Sequence, residues 1–174
     1  TSQYLFVADD PAKALDDGGG PAGSQVLAMI GPMVKDAKQR VSIISPYFVP
    51  GKQGSSFLVS QVEDGKGVRV LTNSLAANDV AMVYGGYSRS RPALLKGGVQ
   101  IWELKPLPGT GTKKSMFGSS GASLHTKALA ADSSRVFVGS YNLDPRSTSL
   151  NCEQGVFVDE PVIAAQLEAL FDQE

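Results

Sequence analysis

Apolar residues along the chain follow helical spacing in some stretches and strand-like runs in others. After Ser24, a suitable N-cap, apolar residues recur every three or four positions as far as Arg40, which predicts a helix. The run Val41–Val49 then reads as a strand that ends at a Pro-Gly pair. A helix followed by a strand opens an α/β alternation.

The same alternation continues downstream. Residues 143–150 read as a connecting loop. The remaining pattern predicts helices at 55–66, 79–96 (broken or kinked at Pro92) and 161–171, and strands at 68–72, 99–104 and 152–158. We therefore expect an α/β domain at residues 24–174.

Two stretches lack any such periodicity. Residues 1–23 are polar and rich in Gly, Pro and Asp, so we expect a linker or arm outside the core, with its acidic residues solvated. Residues 105–123 form a second stretch, and loops longer than about 15 residues are often functional lids or disordered. There Lys113-Lys114 and Met116-Phe117 pair charge with apolar groups, which would suit a membrane surface; a flexible loop explains the same composition.

Composition narrows the function classes. The 174 residues are 42% hydrophobic and 19% charged, which fits one globular domain, and no run of about 18 apolar residues exists to span a membrane. The single cysteine, Cys152, excludes an intrachain disulfide. A formal net charge of -1 lowers the odds of a nonspecific nuclease, so nucleic acid is not an expected partner.

The candidate chemistry lies in one stretch, Leu124–Asn142. Two strand-like runs flank the turn-forming residues 132–134, which predicts a β-hairpin. If the two serines of that turn form the loop, residues pair across the hairpin as follows: Asp132 with Arg135, Lys127 with Ser140, and His125 with Asn142. Because opposed residues share a face, all the polar side chains would converge on one patch.

An imidazole, an ammonium, a hydroxyl and a carboxamide grouped in this way make a good phosphate site, with one nucleophile and several donors. Asp132 lies seven residues from His125, roughly 23 Å along an extended strand, so a turn-capping role fits it better than orienting the histidine. One His, one Cys and no carboxylates clustered near them fall short of a metal site. No P-loop pattern occurs, and no cofactor is expected.

Written as a pattern, the stretch is His-x-Lys, four residues, Asp, six residues, Gly-Ser-x-Asn, where the glycine is Gly139. Given the histidine, a chance match at the other five positions has a probability on the order of one in a million. The pattern resembles the HKD signature of the phospholipase D superfamily. The likeness extends to SPYFVPG at Ser45–Gly51, to Leu71–Pro106 and to GSYNLDPRS at Gly139–Ser147, and it is similar to the C-terminal half of a bacterial cardiolipin synthase-like member.

The resemblance implies a phospholipase D-like α-β-α sandwich with a mixed sheet flanked by helices. It also implies catalysis through a phosphohistidine at His125, with Lys127, Ser140 and Asn142 holding the non-bridging oxygens. It places at Glu153 a glutamate that hydrogen-bonds the nucleophilic histidine, and it implies substrate contacts for Tyr47 and Arg146. Two further positions of the HKD signature, Asp132 and Gly139, are expected to have structural rather than catalytic roles.

The family takes the proton for the leaving group from the histidine of a second HKD half, and this chain has one histidine. We therefore expect a missing N-terminal half, favoured by the abrupt termini, or a homodimer across a two-fold axis. A phospholipid is the expected substrate, with peripheral contact at a bacterial cell membrane or a cytoplasmic location. Water as acceptor would give hydrolysis and a lipid or glycerol hydroxyl would give transfer. A dimeric nuclease and a catalytically silent structural fragment are the alternatives.

Overall fold

The computed structural model describes residues 3–15, 23–74, 77, 81–105 and 124–173, and these form one seven-stranded sheet with helices on both faces. The strand order is β1-β7-β6-β5-β2-β3-β4, in which β2, β3 and β4 run parallel and the other neighbouring pairs are antiparallel. The strands are β1 Gln3–Ala8, β2 Arg40–Ile44, β3 Gly67–Asn73, β4 Gln100–Leu104, β5 Ala128–Ala131, β6 Arg135–Gly139 and β7 Gln154–Asp159.

Helices cover both faces of the sheet. The larger core packs α1, α2 and α3 on one face, and a smaller core packs α5 on the other. The helices are α1 Gln25–Asp36, α2 Gly51–Glu63, α3 Ala81–Lys96, α4 Pro145–Ser149 and α5 Pro161–Gln173, with a 3-10 helix at Pro11–Ala14. This arrangement confirms the predicted α-β-α sandwich with a mixed sheet.

The central strands are buried on both faces, as helices on both sides require. Along β2, Val41 and Ile43 belong to the larger core, whereas Ile44 belongs to the smaller one. Successive side chains alternate in this way because a strand has a period of two. Such strands read as continuous apolar runs, and this explains why β2 and β3 were predicted from the sequence.

A buried ion cluster fastens α5 to the sheet, and we call it the Arg69 cluster (Ser42, Arg69, Glu168 and Asp172). The Arg69 guanidinium binds the Glu168 carboxylate, donates to Asp172 Oδ1 at 2.6 Å and to Ser42 Oγ at 2.7 Å, and lies 4.2 Å from the ring centre of Phe171. Ser42 also donates to Glu168. Two strands and one helix are thereby joined through polar side chains inside the smaller core.

Element boundaries differ from the predictions where tertiary contacts intervene. Helix α1 ends at Asp36 rather than near Arg40, because the backbone amides of residues 38–40 bind a carboxylate of the β-hairpin. Strand β2 ends at Ile44, and Phe48 forms an isolated bridge to Leu143 instead of continuing the strand. The predicted loop at 143–150 contains the short helix α4.

The prediction that residues 1–23 lie outside the core is wrong for the part that the structure describes. Residues 3–8 form edge strand β1, antiparallel to β7. Asp9 and Lys13 are 5% and 4% exposed and form an ion pair of 2.5 Å, so Asp9 is not solvated as expected. Residues 4–8 are a short apolar run that is compatible with a strand, but the Gly-, Pro- and Asp-rich residues after it led to the prediction of an arm. At the sheet edge, Tyr4, Leu5 and Phe6 are all exposed.

Two of the predictions fall on residues that the structure does not describe. Residues 106–123, with the Lys-Lys and Met-Phe pairs, and acidic residues 16 and 17 lie outside the described residues. Among the helices that the structure does describe, none has the length and apolar character needed to cross a bilayer.

Candidate active site

The β-hairpin β5–β6 carries the motif, but its register differs from the prediction by one residue. Ala131 faces Arg135, so the loop has three residues, and Asp132 and Ser133 take positive φ angles of 54° and 50°. Continuing this register places Lys127 opposite Gly139, whose N–H donates to the Lys127 carbonyl at 3.1 Å. The predicted pairs of Lys127 with Ser140 and of His125 with Asn142 are therefore wrong, since a shift by one residue changes the face of every side chain.

The candidate polar residues lie at one end of the hairpin, because the ladder ends where they begin. Strand β5 begins only at Ala128, and β6 ends at Gly139. Residues 125–127 and 140–142 therefore lie just beyond the two strands. Among the described residues, no hydrogen bond joins the His125 imidazole to Ser140 or Asn142, so their proximity follows from the strand ends rather than from direct contact.

Asp132 has the structural role that its distance from His125 suggested, but it stabilises a different loop from its own turn. Its carboxylate accepts hydrogen bonds from the backbone N–H groups of Lys38 and Gln39, both at 2.7 Å, and of Arg40 at 3.0 Å. Burial opposes ionisation, but these three donors and the nearby Arg135 charge outweigh it and hold the pKa of Asp132 below its usual value. Asp132 therefore joins the hairpin to the start of β2.

Gly139 is a glycine for reasons of space. A Cβ atom there would lie 2.3 Å from the Gln154 carbonyl oxygen and 2.7 Å from the Phe137 ring. Gly155, which pairs with Gly139 across β6 and β7, is equally confined, with its Cβ position 2.3 Å from the same ring. The motif glycine thus lets two strands and an aromatic ring approach each other directly behind Ser140.

His125 is exposed, and its backbone is held from both sides. The Lys127 ammonium donates to the His125 carbonyl oxygen at 2.8 Å. Asn73, at the end of β3, makes two hydrogen bonds with the backbone of Leu124: its Nδ2 donates to the carbonyl at 3.1 Å and its Oδ1 accepts from the N–H at 2.9 Å. Sequence reasoning missed Asn73, whose partner is 51 residues away.

Glu153 is buried, 5% exposed, and binds serines rather than the histidine. Ser140 Oγ donates to Glu153 Oε2, and Ser147 Oγ donates to Oε1 at 2.7 Å. No hydrogen bond joins Glu153 to His125 within the described residues, so the hydrogen bond that the resemblance implied is not formed. Both carboxylate oxygens accept from serine hydroxyls, because Glu153 lies immediately before β7, between Ser140 and Ser147.

Asn142 is 8% exposed, and its Oδ1 atom is one of the few buried side-chain oxygens in the described chain that have no hydrogen-bond partner. Its backbone N–H donates to Ser147 Oγ at 3.1 Å. A buried polar atom without a partner costs about 1–3 kcal/mol. A ligand hydroxyl would satisfy Oδ1, and a half turn of the carboxamide would present its N–H₂ donors instead.

Two carboxylates, Glu153 and Asp144, surround the ammonium of Lys127. Partial burial lowers the pKa of Lys127, and the negative charges of Glu153 and Asp144 only partly oppose this. Burial raises the pKa of Asp144, against the backbone N–H groups of Ser147 and Arg146, and the Glu153 charge raises it further. Burial likewise raises the pKa of Tyr141 to about 12. The end of the hairpin therefore places Lys127 beside the negative charges of Glu153 and Asp144.

The two residues expected to contact substrate border this cluster. Tyr47 is half-buried, and its carbonyl accepts from Ser45 Oγ at 2.8 Å. Ser45 Oγ in turn accepts from the Leu143 N–H at 3.2 Å. Arg146 is exposed in the first turn of α4. The substrate contacts of both side chains stay predictions.

The donor set does not suit a metal ion. Over the described ranges, no group of three or more His, Cys, Asp or Glu side chains is arranged to hold one. The ammonium, hydroxyl and carboxamide groups are instead suited to an anionic oxygen, and the His125 side chain is open to solvent.

Known proteins match both the sequence and the fold. Residues 30–174 match the family model described as "Cardiolipin synthase, PLD-like domain". The chain is 41% identical to cardiolipin synthase C of Escherichia coli (strain K12), over 97% of this chain and 36% of that protein. It is 31% identical to cardiolipin synthase A of Pseudomonas aeruginosa, over 89% of this chain and 29% of that protein. The chain thus spans about a third of the length of these curated relatives.

Solved structures share the fold at low identity. Nuc from Salmonella typhimurium, a phospholipase D family member, aligns with a TM-score of 0.70 at 14% identity, covering 99% of this chain and 93% of that one. Phosphatidylserine synthase of Haemophilus influenzae aligns with a TM-score of 0.68 at 19% identity, covering 99% and 38%.

Proposed function

The chain belongs to the phospholipase D superfamily, in its cardiolipin synthase-like group, and from that premise we propose that it supplies half of a phosphatidyl-transferring site. In this half, His125 is the nucleophile that attacks a phosphodiester. The observation that carries the proposal is that the motif residues His125, Lys127, Ser140 and Asn142 all lie just beyond the same end of the hairpin strands. There Lys127 contacts the His125 carbonyl, and Ser140 contacts the buried Glu153.

Each group has a chemical task in the proposed reaction. A ring nitrogen of His125 forms a bond to phosphorus, and the phosphorus–oxygen bond to the leaving alcohol breaks. Lys127 and the carboxamide of Asn142 stabilise the charge on the non-bridging oxygens as the five-coordinate phosphorus forms. Ser140, held by Glu153, completes the polar wall of the site.

The leaving alkoxide takes a proton from an acid outside this chain, since His125 is its only histidine and is already used. We assign that acid to a second half, either upstream in a longer protein or in a second copy of the chain. In the second step, an acceptor hydroxyl returns its proton to the same group, forms a new phosphorus–oxygen bond and releases His125.

The phospholipid substrate is part of the proposal. The names of the curated relatives, cardiolipin synthases A and C, favour a phosphatidyl donor and a lipid hydroxyl as acceptor. With water as acceptor, the same phosphohistidine would be hydrolysed instead. Peripheral contact with a bacterial membrane follows from a lipid substrate, and its surface on this chain remains a prediction.

The experiment that tests the proposal is the mass of the intact protein after brief incubation with short-chain phosphatidylglycerol and an acid quench. An added phosphatidyl mass that maps to His125 is expected, with the chain alone or mixed with a separately produced upstream half. The variant His125→Ala should lose the adduct entirely and keep its folding, because the side chain is exposed. Cys152→Ala, at an exposed thiol outside the site, is the matched control and should keep the adduct.

Other outcomes separate the alternatives. An adduct that forms with a dinucleotide phosphodiester but not with the lipid would favour the dimeric nuclease. Adduct formation that survives in His125→Ala would overturn the mechanism. A folded chain that gives no adduct with either substrate, in any pairing, would leave the structural role as the better description.

A further inference from the structure

The sequence predicted an arm outside the core at residues 1–23, yet this segment places two buried charged residues directly behind the site. Asp9 and Lys13 form an ion pair of 2.5 Å, and both are more than nine-tenths buried. Together with Ser24, Ser147 and Glu153 they form what we call the Asp9 cluster. None of these contacts involves the residues that would meet a substrate phosphate.

Asp9 binds the backbone of Glu153 on both sides. The Asp9 N–H donates to the Glu153 carbonyl at 2.7 Å, and Asp9 Oδ2 accepts from the Glu153 N–H at 3.1 Å. The carboxylate is itself fixed by donors from Ser24 Oγ at 3.0 Å and from the Val26 N–H at 3.1 Å. The position of Glu153, immediately before β7, therefore depends on a residue 144 positions earlier in the chain.

Lys13 connects Asp9 to Ser147 in the same way. Its ammonium bridges Asp9 and the Ser147 carbonyl oxygen, the latter at 2.8 Å. Ser147 is completely buried, and its hydroxyl accepts from the Asn142 N–H and donates to Glu153 Oε1. A continuous path of hydrogen bonds thus runs from Asp9 through Glu153 and Ser147 to Asn142 and Ser140.

We infer that the Asp9–Lys13 ion pair is a positioning element for the active site: it fixes Glu153 and Ser147, and through them the orientation of Ser140 and Asn142. This inference rests on the proposed function for its kinetic consequence, whereas its structural consequence can be measured without any activity. Misplacing catalytic groups by about 1 Å can cost about 100-fold in rate. Asp9 and Lys13 act through other residues and do not touch the substrate.

The test compares Asp9→Asn with Arg69→Met, which breaks the other buried ion cluster of the chain. Asp9→Asn is expected to lower kcat about 10- to 100-fold with KM changed less than about threefold. It should also shift the backbone amide resonances of Ser140 and Asn142, neither of which hydrogen-bonds to Asp9. Arg69→Met should leave kcat and these two resonances unchanged while lowering the melting temperature.

A double-mutant cycle separates positioning from general loss of stability. Ser147→Ala removes the hydroxyl that links Glu153 to Asn142, so its effect on kcat should not add to that of Asp9→Asn. If Asp9→Asn does not fold, Lys13→Arg replaces it in the cycle, because it keeps the charge but changes the bridge to Ser147. We expect a loss of about 3- to 10-fold from that variant.

The outcomes distinguish the inference from the proposed function. Folded Asp9→Asn with kcat within about twofold of the parent and unmoved Ser140 and Asn142 resonances would overturn the inference. A parent that never turns over a phosphodiester would overturn the proposed function, and the amide resonances would still decide whether Asp9 positions the site. If the losses of kcat from Asp9→Asn and Ser147→Ala were additive, the two residues would not act through the same path of hydrogen bonds, and the inference would be rejected.

Discussion

The Asp9 cluster and the Arg69 cluster are both buried groups of charged residues, yet they serve different parts of the molecule. The Arg69 cluster connects β2 and β3 to α5 entirely through side chains. The Asp9 cluster instead reaches backbone atoms of Glu153 and Ser147, which in turn bind Ser140 and Asn142. One cluster holds a helix on the sheet, whereas the other holds the residues of the site.

The charge balance of the two clusters differs as well. In the Arg69 cluster one cation meets two carboxylates, one of them largely exposed. Behind the site, three carboxylates, Asp9, Asp144 and Glu153, lie close enough that each raises the pKa of Tyr141. A buried ion pair does not by itself show that a protein is stabilised there. The role of each cluster is therefore inferred from the groups that it contacts.

The largest effect is expected from breaking the Asp9 cluster at its cation. Lys13→Met leaves the Asp9 carboxylate buried without a counter-charge and should lower the free energy of unfolding by about 3–5 kcal/mol. Urea denaturation followed by circular dichroism measures this loss. Adding Asp9→Asn in the same chain should restore most of the stability but not the activity; a double variant that regains full kcat would remove the distinction between the clusters.

A smaller loss is expected on the other side of the sheet. Glu168→Gln leaves Arg69 with Asp172 and Ser42 as acceptors, so we expect about 2 kcal/mol of lost stability. Because α5 does not contribute to the site, kcat per folded molecule should stay within about twofold of the parent. A tenfold fall in kcat at constant folding would show that the Arg69 cluster also reaches the active site.

Asn73 sharpens the comparison, because it supports the site without any charge. Asn73→Leu removes both hydrogen bonds to the backbone of Leu124 and should lower kcat about tenfold, equivalent to about 1.4 kcal/mol. Asn73→Asp keeps the acceptor for the Leu124 N–H and should fall between the parent and the leucine variant. Equal kcat values in all three proteins, measured by initial rates, would mean that the backbone before His125 needs no such anchor.

The smallest effects concern pH and have opposite signs at two carboxylates. The pKa of Asp132 is lower in the folded protein than in the unfolded chain, so its carboxylate stabilises the fold at pH values above the unfolded pKa. This stabilisation is lost as pH falls through the pKa of the folded protein. The pKa of Asp144 is higher in the folded protein than in the unfolded chain, so its protonated carboxyl contributes stability at low pH. This contribution is lost as pH rises through the pKa of the folded protein.

We therefore expect Asp132→Asn to destabilise the protein more at pH 7 than at pH 3. Asp144→Asn keeps an N-cap for α4 and should be relatively more favourable at pH 7 than at pH 3. Unfolding free energies of the two variants across this pH range check both signs. Parallel pH curves for both variants and the parent would contradict this interpretation of the charge distribution.

The sequence predicted the members of the site better than their arrangement. Residues 125–142 carry the motif locally, so the hairpin and its polar residues could be recognised together. The register could not be predicted, because the turn residues fit a loop of either two or three residues. The choice depends on Asp132, which leaves the ladder and binds the backbone amides of residues 38–40.

The contacts that the sequence did not reveal are all distant along the chain. Asp9 meets Glu153 across 144 positions and Asn73 meets Leu124 across 51, and neither pairing leaves a periodic trace. The burial of Lys13 could not be predicted, because a lysine in a polar stretch is usually solvated, and here its burial depends on Asp9 and the Ser147 carbonyl as partners. Most helices and central strands, by contrast, followed from apolar spacing alone.

The crowding around Phe137 has a consequence for how this part of the chain can change over evolution. Its ring occupies the space where Gly139 and Gly155 would otherwise carry side chains, so neither glycine can be replaced while the phenylalanine remains. A smaller residue at 137 would not release them, because a Cβ at 139 would still lie 2.3 Å from the Gln154 carbonyl oxygen and a Cβ at 155 would lie 2.8 Å from the Val138 carbonyl oxygen. Among homologous sequences we therefore expect position 137 to vary more freely than the two glycines.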